Sequence, residues 1–344
     1  MAALLAKSGG SLETQQAVDR ALDWIARHQN PDGSWSLDYV HRCRGPGCTG
    51  PGNLDAPAAA TGLALLPFLA RGHTHQSQGP YRKVVFDGLT WLTIHQKPTG
   101  DLSVTEGQTQ MYSHAIATIA VCEAYGMTHD LRLQLPALAA LRFIEIGQNR
   151  ETGGWRYTYR DSGSDTSVFG WQLTALEIGR KAGFDPGRPT LDLAKKWLAG
   201  VSHGDSKGLF SYQPLRQPSL TMTAVGMLGT QYLGAHGDDP RLADATRYLM
   251  AGLPDLSHRD SYYWYYATQA MHNLPGQQWE KWNEAMRKVL LQTQSHGPAC
   301  AAGSWDPVKP VRDPWAAYGG RLMMTGLATL TLEVYYRYAP LYER

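Results

Sequence analysis

The chain is poor in the features that mark whole classes of protein. Its 344 residues include only four cysteines, too few and too scattered for a disulfide-stapled scaffold of this length. Charge is sparse, at 18% of residues with a formal net of +2. No basic run stands out, so nothing points to nucleic acid. A long hydrophobic run is also lacking. The nearest, Leu322 to Tyr342, is interrupted by Glu333 and Arg337 and reads as a buried or amphipathic helix rather than a membrane span. Met1 to Gly10 carries a short apolar patch without an A-x-A-like cleavage site, so no secretory signal and a cytoplasmic location are expected. No G-x-S-x-G elbow or phosphate-binding loop occurs. Asp238-Asp239-Pro240, the nearest approach to an Asp-rich magnesium site, reads as a turn and helix start. No cofactor is expected.

What the chain does have is a period. A small residue beside an apolar or aromatic run recurs six times, as Thr61-Gly62-Leu63, His114-Ala115-Ile116, Phe169-Gly170-Trp171, Thr223-Ala224-Val225, Tyr266-Ala267-Thr268 and Thr325-Gly326-Leu327. The spacing of roughly 50 residues lies in the range of repeat architectures, in which no unit buries its apolar face alone. Each unit holds two helical segments. The first is amphipathic: Ala17, Ala21, Trp24, Ile25 and His28 fall at helical spacing with Asp19, Arg20, Asp23 and Arg27 between them. Counterparts are expected over Tyr81–Gln96, Arg132–Gln148, Pro189–Gly200, Pro240–Gly252 and Gln277–Gln294. The second segments, Ala56–Leu69, Met111–Tyr125, Ser167–Lys181, Ser219–Leu233, Ser261–Leu274 and Gly320–Tyr338, are apolar or small nearly all round. Such helices are buried on every side. Six dry helices alternating with six half-wet ones predict concentric rings, an all-α toroid of one domain spanning 13–344 after an extension over 1–12. Small residues at the shared register (Gly62, Ala115, Gly170, Ala224, Ala267 and Gly326) would let inner helices approach closely.

A second element joins the segments: Gln29-Asn-Pro-Asp-Gly-Ser-Trp35, Gln148-Asn-Arg-Glu-Thr-Gly-Gly-Trp155, and Gln294-Ser-His-Gly continuing to Gly303-Ser-Trp305. Gln96-Lys-Pro-Thr-Gly-Asp101 and Gly208-Leu-Phe210 are degenerate copies. Glycine ends the outer helix, glutamine can cap exposed backbone groups, and the aromatic residue can lock onto a neighbouring unit.

This Gln…Gly-Ser-Trp element resembles the QW repeat of squalene–hopene cyclases. Together with the sixfold double-helix period, residues 13–342 resemble the superfamily of terpene cyclases and protein prenyltransferase β subunits, and within it the bacterial squalene-cyclase-like and prenyltransferase-like repeat proteins. The resemblance implies an α6/α6 toroid with a cavity lined by inner helices, and an isoprenoid-like apolar ligand. Class II cyclases of this superfamily protonate an alkene with the central acid of an Asp-x-Asp-Asp-Thr-Ala run. The matching run here is Ser162-Gly163-Ser164-Asp165-Thr166-Ser167, which puts Ser164 on the proton donor. Asp165 survives in register and Asp161 lies nearby out of register, so these two are the candidate acids. Asp165 also reads as a helix N-cap. The prenyltransferase zinc ligands would fall on Asp260, Tyr262 and Gly319, and two of the three are absent. The thioester domains that share the toroid need a Cys-Gly-Glu-Gln run, which Cys300-Ala-Ala-Gly303 does not provide.

The remaining candidates line the expected chamber. Tyr112 and His114 enter the second inner helix. Phe169, Trp171 and Gln172 lie on the third. Asp260, Tyr262, Tyr263, Trp264, Tyr266 and Gln269 open or follow the fifth. They read either as a packed core or as an aromatic-walled site with a few polar groups. His114 alone reads as a satisfied core histidine. Cys122 reads as buried packing. His41, Cys43 and Cys48 form an irregular H-x-C-x4-C loop. It is consistent with a local disulfide, free thiols, or a metal site with a fourth ligand from Cys300, His73 or His75. Two other readings stand beside the isoprenoid binder. A scaffold would bind a protein partner at its rim. A carbohydrate enzyme would need two carboxyls converging among Asp55, Glu106, Asp161, Asp165, Asp260 and Asp313. Peripheral membrane contact is compatible with the first reading.

Overall fold

The computed structural model describes residues 9–43, 48–297 and 299–337. Residues 1–8 of the expected extension, including most of the stretch read for a signal, lie outside them. So does the end of the Leu322–Tyr342 stretch. Among the described residues the chain forms 13 α-helices, two 3-10 turns and a two-residue antiparallel ribbon that pairs Ser202–His203 with Leu209–Phe210.

Outer and inner helices alternate. The outer helices are α1 (Leu12–Arg27), α3 (Arg82–Ile94), α5 (Leu131–Gly147), α7 (Arg188–Gly200), α9 (Pro240–Leu249) and α11 (Gln277–Thr293). The inner ones are α2 (Pro57–Ala70), α4 (Gln110–Thr128), α6 (Thr166–Lys181), α8 (Leu220–Tyr232), α10 (Ser261–His272) and α12 (Gly320–Leu332). Start signals follow helix physics. Ser11 caps α1 in a reciprocal capping box with Thr14, Pro57 opens α2, and Asp130, Asp165, Asp239 and Asp260 cap α5, α6, α9 and α10. Every residue of α10 is buried, whereas α1 buries one stripe that includes Ala17, Ala21, Trp24 and Ile25. Successive inner helices pack side by side, α12 packs on α2, and α11 meets α1, so both rings close. A Cβ on Gly62 would lie 2.9 Å from the Ile116 carbonyl oxygen on α4, and one on Gly170 would lie 2.4 Å from Val225 on α8. Small residues at this register therefore set the inner-helix spacing. No described helix is long and apolar enough to cross a membrane.

One set of bonds recurs where outer helices turn into inner ones. The Gln148 side-chain amide donates to Gly153 O at 2.9 Å and to Thr190 O, at the start of the next outer helix, at 3.1 Å. Gln29 does the same to Gly33 and Val84, Gln96 to Gly100 and Pro136, and Gln294 to Gly303 and Ala17. The last of these joins the sixth hairpin to the first. The indole N–H groups of Trp35, Trp155 and Trp305 return to carbonyls of the preceding outer helix, at Ile25, Ile144 and Leu290. The indoles thereby satisfy carbonyls in the last turn of an outer helix, and each glutamine amide ties its own loop to the next outer helix.

The expected last inner segment is interrupted. α12 stops at Leu332, Glu333 is its C-cap, and a short helix α13 (Val334–Arg337) follows. Glu333 is 0% exposed, and neither carboxyl oxygen has a hydrogen-bond partner. Burial pushes its carboxyl well above the ordinary value. Arg337 and Arg71 oppose that, while Glu123 and Asp19 reinforce it. The folded state thus holds this proton more tightly than the unfolded state. The stability it confers is complete below the unfolded value and is lost as pH rises through the folded one. Glu333→Gln should therefore raise stability at pH 8 by more than about 1.4 kcal/mol, the equivalent of one pKa unit, and change little at pH 5. Thermal unfolding at the two pH values would measure this. An equal effect at both would show that charge is not the cause.

Candidate active site at the ring mouth

The inner helices begin on the same end as the Gln-Gly-Trp loops, and that end gathers the polar chemistry. Asp165, the N-cap of α6, lies at this end, 0% exposed. Its Oδ1 accepts from Ser167 N at 3.1 Å, Val168 N at 2.9 Å and Ser167 Oγ at 2.7 Å. Its Oδ2 has no hydrogen-bond partner; the nearest cation, Arg156 Nε, stands 4.0 Å away. Burial lifts this carboxyl above its ordinary value, against the pull of the two amides, the Ser167 hydroxyl and Arg156. The Tyr112 hydroxyl meets Ser167 Oγ at 2.5 Å, and the Tyr262 hydroxyl donates to Ser167 O at 3.3 Å. The Tyr157 and Tyr212 hydroxyls bond to each other. The Asp165 charge helps raise the pKa values of Tyr112, Tyr212 and Tyr262, which follow burial in each case. Tyr112, Tyr157, Tyr212 and Trp315 are half-buried, and the Arg156 guanidinium lies 5.2 Å over the Tyr157 ring. The site is a buried carboxyl whose pKa burial raises, with one oxygen free of donors, beside Ser167, which the Tyr112 and Tyr262 hydroxyls reach.

Deeper in the ring, aromatic residues pack on one another. Trp171 stacks on Tyr265 at 5.6 Å and meets Tyr266 edge-on, and Tyr262 meets Tyr266 and Trp315 edge-on. Gln172 donates to Met111 O, bridging α6 to α4, and Gln269 donates to Tyr265 O; the side-chain oxygen of each has no partner.

Several expected lining residues face elsewhere. Tyr263 points at the outer ring, donating to Gly252 O at 3.0 Å and lying edge-on to Trp282. Phe169 packs toward Trp155. His114 is a core residue: Nδ1 accepts from Leu102 N, and Nε2 faces Ala140 O and Thr118. It takes the place that Thr61 and Thr325 hold under Trp35 and Trp305. Asp161 caps a turn through Gly163 N and Thr158. Asp260 is saturated by Tyr263 N, Trp315 Nε1 and Thr221 Oγ1. Asp313 accepts from Ser261 and Trp315 N. Asp55 and Glu106 are exposed. Sequence reasoning missed Arg156, Tyr157, Tyr212 and Tyr265. The first three lie in irregular loops without periodicity, and Tyr265 is one aromatic among five in a row.

Of the candidate metal ligands, His41 bonds Asn30, His75 bonds Asp130, and His73 lies edge-on to Tyr81. Cys43, Cys48 and Cys300 instead converge on His28. Cys122 is fully buried, and burial raises its thiol pKa.

No protein-family model matches the chain, and no curated protein matches it. Solved structures do. An alpha-1,6-mannanase from Salegentibacter, in an inactive variant with two adjacent aspartates replaced, is 14% identical with a TM-score of 0.63, covering 94% of this chain and 99% of its own. A type II terpene cyclase from Scytonema, in complex with geranylgeranyl dihydroxybenzoate, is 13% identical with a TM-score of 0.60, covering 94% and 97%. An alpha-amylase from Clostridium perfringens is 10% identical with a TM-score of 0.63, covering 93% and 98%. At such identities the likeness establishes the fold: this chain is an all-α toroid of two concentric helical rings, an architecture shared with both terpene-converting and glycan-cleaving enzymes.

Proposed function

We propose that this protein is a terpene-cyclase-like toroid that takes an isoprenoid-like apolar molecule at the ring mouth, with Asp165 as its proton donor. On this reading its Gln-Gly-Trp loops are the QW repeats of that superfamily. The observation that carries the reading is the asymmetry of Asp165. Oδ1 is already set to stabilise the carboxylate that remains after proton transfer. Oδ2, without a donor, is the oxygen open to carry the proton on this reading. A buried acid in a site rich in aromatic residues suits alkene protonation, since a positioned acid supplies the proton and aromatic rings stabilise the cation that results. Ser164 on the usual donor position leaves Asp165 as the acid in register.

The carbohydrate reading needs a second working carboxyl. Asp260 and Asp313 have their oxygens engaged, and Asp161 caps its turn. The one adjacent aspartate pair, Asp238-Asp239, opens the outer helix α9, where Asp239 is held by Arg241 at 2.6 Å. Of Asp161, Asp165, Asp260 and Asp313, only Asp165 keeps an oxygen without a hydrogen-bond partner, and a single such acid supports protonation better than hydrolysis. The exposed Leu131, Leu135 and Leu138 on one side of α5 suit contact with the membrane surface that would supply such a ligand.

The test is mass spectrometry of lipids extracted from the purified protein, followed by incubation with squalene and with prenyl diphosphates. Copurified isoprenoid or a cyclised product is the expected result. Neither lipid nor product, with release of sugar from an alpha-1,6-mannan, would replace this reading with the carbohydrate one.

A further inference from the structure

We infer that His28, Cys43, Cys48 and Cys300 form a zinc site that locks the ring where its two ends meet. The four ligand atoms lie within 4.8 Å of one another. His28 Nε2 stands 3.6 Å from Cys43 Sγ, 3.5 Å from Cys48 Sγ and 3.6 Å from Cys300 Sγ. Zinc–sulfur bonds of about 2.3 Å and a zinc–nitrogen bond of about 2.0 Å meeting at the tetrahedral angle separate nitrogen from sulfur by about 3.5 Å. The protein therefore holds all three sulfurs at the separation a shared zinc ion requires. All four cysteines are free thiols. Three sulfurs equidistant from one nitrogen do not correspond to a paired disulfide.

The histidine is oriented for this role. His28 Nδ1 donates to Trp24 O at 2.7 Å, which turns the Nε2 lone pair toward the sulfurs. Its ring is stacked on Trp24 at 4.2 Å and met edge-on by Tyr39 at 5.3 Å. The chain just after Cys48 is anchored too. Tyr39 donates to Thr49 O, and Arg321 Nε donates to the same carbonyl at 2.7 Å while its Nη2 donates to Thr49 Oγ1 and Asp306. Binding displaces three thiol protons, leaving a site of net charge −1 beside Arg27 and Arg42, which line the same surface depression as His28 and Cys300. Three thiolates and one imidazole close the tetrahedron, the pattern of a structural rather than a catalytic zinc. His28 and Cys300 are 272 residues apart, so the ion would bridge the first hairpin to the last.

The full chain, expressed with zinc in the medium and purified without chelator, should carry about one zinc per chain by elemental mass spectrometry. Exchange for cobalt(II) should give the intense visible bands of a tetrahedral ion and thiolate-to-cobalt charge transfer. His28→Ala and Cys300→Ser should lose the metal, whereas Cys122→Ser and His41→Ala should keep it. Chelation should lower the melting temperature of the wild type. A wild type without metal, a Cys43–Cys48 disulfide in the purified chain, a stoichiometric metal other than zinc, or full zinc retention by His28→Ala would each overturn the assignment. The wild-type metal content and cobalt spectrum decide it even where a variant fails to fold.

Discussion

Gly303→Ala should open the seam of the ring. At this position φ is +93°, and a Cβ would lie 2.2 Å from the Arg20 carbonyl oxygen on α1. The first feature alone costs an alanine about 1–2 kcal/mol. The second requires α1 to move, because the obstacle is helix backbone rather than a flexible side chain. That movement would pull Gln294 from Ala17 O, and Arg20, which donates to Gln294 Oε1 at 2.8 Å, with it. A total loss on the order of 3–5 kcal/mol is expected, the range of severe core lesions. Gly72 is the control. Its φ is +90°, yet a Cβ there would meet nothing within 4 Å, so Gly72→Ala should cost only the backbone part. Denaturant unfolding of both variants separates the two contributions. Equal losses would mean that α1 does not press on the Gly303 loop.

Asp165→Asn should leave the fold intact and remove the acid. Asparagine caps helices about as well as aspartate, and its side-chain oxygen can keep the Ser167 and Val168 bonds. Stability should move by less than about 0.5 kcal/mol. Any isoprenoid conversion should fall by roughly 10²–10⁴-fold, the contribution of a positioned general acid, with ligand binding retained. Asp165→Ala would lose cap and acid together, lowering stability as well. The readouts are product formation by mass spectrometry and the melting temperature. Unchanged turnover in Asp165→Asn would remove Asp165 from the chemistry, and lost binding in the same variant would make it a positioning residue.

Much of the ring was legible in the sequence because its determinants are local. The 3.6-residue stripe of α1, the all-round apolarity of α2 and α10, and the Gln-Gly-Trp loops each express themselves within a few turns of chain. Asp165 as an N-cap was legible for the same reason. Within the site, legibility failed where direction matters. Five consecutive aromatics, Tyr262 to Tyr266, carry no periodic signal, so nothing local separates Tyr263, which faces outward, from Tyr265, which stacks on Trp171. Arg156, Tyr157 and Tyr212 were silent because loops without regular dihedrals do not advertise which side chains meet. His114 could be a ligand group or a core donor and acceptor until Leu102 and Ala140 came into view.

The amino-acid order by itself determined the helices, their alternation of dry and half-wet faces, and the caps and turns between them, since each depends on residues a few positions apart. Ring closure alone decided that His28 would face Cys300 and that the Asp165 carboxyl would keep one oxygen without a donor. Both depend on packing that excludes water and brings distant segments together, and no local pattern encodes which distant side chains will share that dry space.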